Sequence, residues 1–213
     1  MSTLLALEFS SEQRSVAVWH EHRVVAEIVQ SMGKSTRVFS LITGALKEAG
    51  ILPAAVDTLA VGVGPGSYTG VRLAISVAQG WSLARPAIQV RSINSLDVLA
   101  AAISGRAWLV SDAQRSEWAV APVEGGRLLQ SARLFPSAEV VSLARSARVI
   151  GPEVVRILGV GETAFPSARV MAQCVAERGV DILPEALQPV YLRTAAFVKA
   201  PAPRQIPGIS DLP

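Results

Sequence analysis

The stretch Gly62-Val63-Gly64-Pro65-Gly66-Ser67-Tyr68-Thr69-Gly70-Val71-Arg72 constrains this chain more than any other. It follows an apolar strand pattern from Thr58 to Val61 and runs into a helical pattern that starts near Val71. Glycines packed into a strand-to-helix turn let backbone N–H groups approach an anion or another chain without side-chain obstruction. The common phosphate-loop patterns nevertheless fail here. A Walker loop needs Lys after its second glycine, and Val71 follows Gly70. A dinucleotide fingerprint started at Gly62 or Gly64 places Ser67 or Thr69 where its third glycine belongs. Ser67 also lacks the Gly-x-Ser-x-Gly frame of a hydrolase elbow. Two readings remain: a specific loop of another kind, or a tight connection that binds nothing.

Periodicity supplies the surroundings. Leu4 to Phe9, Ser15 to Trp19 and Val24 to Val29 read as three strands joined by short polar turns. A helix follows from Thr36 to Ala49, with Val38, Leu41, Ile42, Ala45, Leu46 and Ala49 on one face. Ser35 or Thr36 caps its start, and Gly50 with Pro53 ends it. A strand at Thr58 to Val63 feeds the glycine loop and a helix that runs to Ala84. Ile88 to Ile93 is a further strand, and Ser95 caps a helix through Ile103. Strands return at Ala107 to Ser111 and Glu117 to Val123, followed by a Glu124-Gly125-Gly126 turn. A helix at Ala138 to Arg145, a strand at Ala147 to Ile150 and a helix at Ser167 to Arg178 complete a shorter echo of the first half. From Lys199 the Pro-rich sequence has no periodicity and reads as an unstructured tail.

The segment from Gly64 to Arg72 resembles the Gly-Pro-Gly-Ser-Phe/Tyr-Thr-Gly-Val/Leu-Arg signature of the TsaB family, also called YeaZ. Three more patches resemble it: Leu4 to Ser11 with Ser15 to Trp19, Asp112 to Trp118, and Pro189-Val190-Tyr191-Leu192-Arg193. The resemblance implies an α/β fold of the actin/Hsp70 (ribonuclease-H-like) kind with two lobes, the second reduced. Residues 1–103 form the first lobe in that reading, 104–198 the second and 199–213 the tail. The resemblance also implies a catalytically silent subunit that activates the transferase TsaD, with the ATPase TsaE, in making threonylcarbamoyladenosine on tRNAs reading ANN codons. Contact with tRNA would come only through that complex, and the chain alone would pair with itself. This chain would require no cofactor of its own; the complex interface is where ATP or ADP could bind, and the sequence leaves open whether nucleotide binds this chain. A small-metabolite kinase or ATPase of the same superfamily, or a peptidase or chaperone-like factor, are the alternatives.

Half of the 213 residues are hydrophobic and only 17% are charged, so part of the apolar surface is expected to be covered by a partner. The net charge of +3 rests on scattered residues, without the basic stripe of a dedicated nucleic-acid binder. The sequence shows neither a membrane-length apolar run nor a signal peptide, and its single Cys174 sits in a core-like helical pattern, which together read as cytoplasmic. From Leu73 to Ala84 the second helix carries no charge, and Leu73, Ser76, Gly80 and Leu83 fall along one line. The first helix, with Arg37, Ser40 and Gly44 off its apolar stripe, is weakly charged beside it. These outer faces read as a helix-to-helix subunit interface; burial under the chain's own second lobe or tail is the alternative.

Catalytic groups are scarce. Glu8 ends the first strand where family relatives usually carry Asp. It reads either as a cleft carboxylate opposed by Asp112 or as an ordinary strand-end residue. Asp112 could equally pair with Arg115. His20 and His22 flank Glu21 in a hairpin turn with no further ligand nearby, and Lys34 stands where the TsaD metal motif would place a histidine. No catalytic or metal-binding residue is therefore assigned.

Overall fold

The computed structural model describes residues 2–31, 37–178 and 180–193. The expected tail, Lys34 and the capping residues Ser35 and Thr36 lie outside them. The first half builds β1 (Thr3–Glu8), β2 (Gln13–His20), β3 (Arg23–Ser31), α1 (Val38–Ala49), β4 (Thr58–Gly62), α2 (Tyr68–Ala84), β5 (Gln89–Ile93) and α3 (Ser95–Ala101). The second half builds β6 (Arg106–Asp112), β7 (Glu117–Glu124), β8 (Arg127–Leu128), β9 (Arg133–Pro136), α4 (Ser137–Leu143), β10 (Val149–Gly151), α5 (Val154–Leu158), β11 (Glu162–Thr163), α6 (Ala168–Arg178) and β12 (Val180–Asp181).

One sheet has the order β12-β5-β4-β1-β2-β3, with β1, β4 and β5 parallel and β2 reversed. The second has the order β11-β10-β6-β7-β8, again parallel except where β7 reverses against β6. Five positions match in turn, β5-β4-β1-β2-β3 with β11-β10-β6-β7-β8; β12 is added at the edge of the first sheet, and β9 pairs with β7 in the second. This duplicated ribonuclease-H-like plan is the actin-like fold, and its second copy is the smaller one.

Strand alternation explains how both faces of the first sheet are buried. Leu5, Leu7, Val16, Val18, Leu59 and Val61 meet the stripes of α1 and α2. Leu4, Ala6, Ala17 and Ala60 point the other way, where the small alanines let α6 lie close through Ala168, Met171, Ala172 and Val175. The last helix of the second half therefore packs on the first sheet, a crossing that residue order did not reveal. Conversely, Leu96, Leu99 and Ala100 of α3 pack against Leu109, Ala119, Ala121 and Ile150 of the second sheet. The two halves exchange helices.

Most predicted elements are present, with shifts that have local causes. Helix α2 starts at Tyr68, three residues before the apolar pattern, because the Ser67 hydroxyl accepts the Gly70 N–H at 3.2 Å. Helix α3 is capped by Asn94, whose side chain accepts the Leu96 N–H at 2.8 Å; Ser95 is its first residue. Gly50 ends α1 in the left-handed region as expected. Strand β9 and helix α5 were not predicted, being too short to show a period.

The glycine loop is seated on the backbone that follows β1. The Ser67 N–H donates to the Ser10 carbonyl at 2.6 Å, and Val63 accepts from the N–H of Val190 at 2.8 Å. Gly66 has φ of 148°, and a Cβ there would overlap the Ser10 carbonyl. A Cβ at Gly70 would overlap the carbonyl of Phe9. In urea unfolding, Ser67→Ala is expected to lose about 1 kcal/mol, the usual value of a helix cap. Gly66→Val should lose at least twice that; equal costs would show that the loop does not depend on this close approach.

Candidate functional site

Between the two sheets lies a cleft with a cavity of about 390 Å³. The β1–β2 turn supplies Ser11 and Glu12, the start of α2 supplies Ser67, Tyr68 and Thr69, the end of β6 and the loop after it supply Asp112 and Gln114, and α5 with its cap supplies Glu153 and Arg156. Two bonds tie the halves across it. The Glu12 N–H donates to Glu153 Oε1 at 3.2 Å, and Arg156 Nε donates to Glu12 Oε2 at 2.9 Å. Burial pushes the Glu153 carboxyl up to about 7. The Glu12 N–H works against that, the Glu12 and Asp112 carboxylates add to it, and Arg156 again opposes it. Three carboxylates thus share one cleft, Glu153 being the most deeply placed.

Glu8 is not one of the cleft-lining residues. It is fully buried, with Oε1 accepting the Ser10 N–H at 2.8 Å and Oε2 accepting the Ser95 hydroxyl at 3.0 Å. Ser95 is also bound to the glycine loop: its N–H donates to the Gly64 carbonyl at 2.8 Å and its hydroxyl accepts the Gly64 N–H at 3.2 Å. The added methylene of Glu over Asp is accommodated above Gly62, where a Cβ would overlap Oε2. Burial raises the Glu8 pKa, and the bonds from Ser10 and Ser95 partly offset it. Glu8 therefore joins β1, the loop and α3 from inside the fold, and the structure does not bring it together with Asp112 across the cleft. Asp112 does line the cleft, yet its partner is Gln114, through N–H at 2.8 Å and Nε2 at 2.7 Å, rather than Arg115.

The three family-like patches beyond the first strands converge. Arg72 lies 4.1 Å from the centre of the Tyr68 ring and donates to the Tyr191 hydroxyl at 2.8 Å. Arg193 reaches the carbonyls of Ala113 and Gln114 and the Glu117 carboxylate. A second, half-open cavity of about 370 Å³ lies where they meet, lined by Pro65, Gly66, Tyr68, Gln114, Arg115 and Tyr191 among others. Among the described residues, no cluster of three or more His, Cys, Asp or Glu side chains is placed to hold a metal ion. His20 instead shares a hydrogen bond with the Thr3 hydroxyl at 2.9 Å.

On the outer face of α1 and α2, Leu73, Ser76 and Gly80 line an apolar groove of about 540 Å³. Leu83 is 84% exposed, and Arg37 and Ser40 are exposed on α1. Gly44 departs from the expected set: its Cβ direction faces Ile28 of β3 at 3.7 Å, so it looks inward. Sequence reasoning missed Phe39, 73% exposed, and Trp81, which wall the groove. Phe39 carried a signal, a large aromatic off the apolar stripe of α1. The segment after β12 covers a different flank of α2, where Gln79 Nε2 donates to the Pro184 carbonyl at 3.1 Å. Among the described residues, none lies over the groove itself; the expected tail, the other candidate cover, lies outside them.

Comparison with known proteins gives consistent matches. The sequence model of the TsaD family, tRNA N6-adenosine threonylcarbamoyltransferase, matches residues 27–174. The tRNA threonylcarbamoyladenosine biosynthesis protein TsaB of Escherichia coli is 30% identical across 93% of this chain and 98% of its own length. The TsaB of Bacillus subtilis is 33% identical over a stretch that spans 46% of this chain and 44% of that protein. The solved structure of YeaZ from Pseudomonas aeruginosa superposes with a TM-score of 0.71 at 30% identity, covering 90% of this chain and all of that one.

The cleft carboxylates set a pH dependence. With Glu153 at about 7 in the folded chain and near 4.5 when unfolded, the folded state holds its proton more tightly. Stability should therefore be highest below pH 4.5 as far as this group is concerned, and should fall as pH rises to 7, by at most about 3 kcal/mol. Thermal unfolding between pH 5 and 8 should show this fall in the native chain and a flatter profile in Glu153→Gln. Parallel profiles would show that Glu153 ionises freely in the fold.

Proposed function

The chain belongs to the TsaB (YeaZ) family of tRNA threonylcarbamoyladenosine biosynthesis, and from that premise we propose that it is the non-catalytic partner of a TsaD-like transferase. The observation that carries this reading is the open apolar groove between α1 and α2, with Phe39 and Leu83 exposed beside it. Apolar surface of this kind, free of charge from Leu73 to Ala84, marks a contact with another protein. The chemistry of the partner follows from the TsaD match over residues 27–174, which includes both helices. A transferase sharing this sequence pattern carries equivalent helices, so like can pack against like in a near-twofold arrangement. A second copy of this chain would occupy the groove when the transferase is absent.

In this reading the transferase moves the threonylcarbamoyl group from threonylcarbamoyl-AMP to the adenosine of tRNAs that read ANN codons, with a TsaE-like ATPase in the same assembly. ATP or ADP would sit at the complex interface, and this chain would supply no reacting group. The tight internal bonding of Glu8 and the pairing of Glu12 with Arg156 support that silence, because both carboxylates are already engaged within the fold.

Gly80→Arg tests the docking surface. Nothing lies within 4 Å of a Cβ at Gly80, so the variant should fold normally. A desolvated, unpaired guanidinium in the contact costs about 3–5 kcal/mol. Sedimentation should then find a monomer, and pull-down should find no transferase. A dimer that still captures the transferase would move the interface elsewhere. The isolated chain should hydrolyse no ATP and modify no tRNA; turnover near ~10 per second that disappears in Asp112→Asn would overturn the non-catalytic reading.

A further inference from the structure

The β6–β7 loop holds three consecutive non-glycine residues in the left-handed region, Gln114, Arg115 and Ser116, with φ of 63°, 57° and 60°. Such backbone is costly and persists only where its surroundings enforce it. Here they do. Gln114 is tied twice to Asp112, Arg193 grips the carbonyls of Ala113 and Gln114, and the Ser116 carbonyl accepts from both the N–H and the hydroxyl of Ser137. The loop's two carboxylates are consumed in the process, Asp112 by Gln114 and Glu117 by Arg193. Arg115 is left exposed on the wall of the 370 Å³ cavity, with no hydrogen-bonding or ionic partner among the described residues. No carboxylate lines that cavity.

The opposite wall is aromatic. Tyr68 and Tyr191 are 58% and 55% exposed, and Arg72 fixes both by stacking on one and donating to the other. Tyrosines held this open are poor core residues and good stacking platforms. Unpaired positive charge beside two immobilised aromatic rings matches a flat, π-bearing ligand that carries an anion. The volume suits one small ligand.

We infer that this cavity binds one nucleoside monophosphate unit, with Tyr191 and Tyr68 against the base and Arg115 toward the phosphate. The unit belongs either to an RNA strand or to a free nucleotide. The choice of RNA as one source rests on the tRNA-modification reading above, whereas the site itself rests on the cavity.

Fluorescence anisotropy with a labelled single-stranded RNA octamer, and competition by AMP, test this on the full chain at low salt. Arg115→Ala and Tyr191→Ala should each weaken binding by at least ~5-fold. Arg115→Ala should also lower the salt dependence by about 0.7, the value of one phosphate contact on a single strand. The control is Arg127→Ala, which removes the same charge at the opposite end of the second sheet and should change nothing. Binding of the octamer without competition from AMP identifies a strand as the ligand; competition by AMP with the same Arg115 sensitivity identifies a free nucleotide. Absence of both, or an equal loss in Arg127→Ala, overturns the site. Arg115→Ala should still capture the transferase, so failure here leaves the partner reading to be judged by Gly80→Arg.

Discussion

The backbone of the glycine loop lies directly on the backbone that leaves β1, and this contact places nearly everything around the cleft. Its hydrogen bond from Ser67 to Ser10 and the Cβ-free approaches at Gly66 and Gly70 fix where α2 begins. The next links follow from it. Gly64 exchanges two hydrogen bonds with Ser95, which sets the start of α3, and Ser95 is held from behind by Glu8. Val63 anchors Val190, and so brings Tyr191 within reach of Arg72. A chain of short polar contacts through an otherwise apolar interior has little slack, because each buried group left without its partner is costly.

Charge is handled differently in the two cavities. In the cleft, Glu12, Asp112 and Glu153 crowd together and are relieved by Arg156, by backbone and side-chain donors, and by the raised pKa of Glu153. In the neighbouring cavity the carboxylates are taken out of play and arginine dominates. Tyr68 and Gln114 line both spaces, so two regions of opposite character share a wall.

The sequence revealed what depends on local pattern. The stripe of α1, the alternation of β1 and β2, and the outward line of Leu73, Ser76, Gly80 and Leu83 could all be read because each is set by residues a few positions apart. What stayed hidden depends on distant pairings. Glu153 meets the Glu12 backbone across 141 residues, and nothing near either one in sequence announces the other. Asp112 was offered Glu8 and Arg115 as partners and took Gln114, since the left-handed loop turns that amide back onto it. Gly44 was assigned outward because it lies off the apolar stripe, but a residue at the stripe's edge still looks toward the strand beneath it, here Ile28. The destination of α6 was invisible for the same reason: an apolar helix face does not say which sheet it will cover.

That destination has a consequence for how the chain is made. The face of the first sheet formed by Leu4, Ala6, Ala17 and Ala60 shares its cluster with Val98 of α3 but lacks its main cover until α6 has been synthesised. Leu187, which seals the opposite core, arrives later still. At ~5–20 residues per second, the strands wait several seconds on the ribosome with one apolar side largely bare. The two halves therefore cannot mature one after the other as beads on a string. The nascent chain carries an unfinished sheet through most of its own translation, and any delay between α3 and α6 prolongs the interval in which that sheet can find the wrong neighbour.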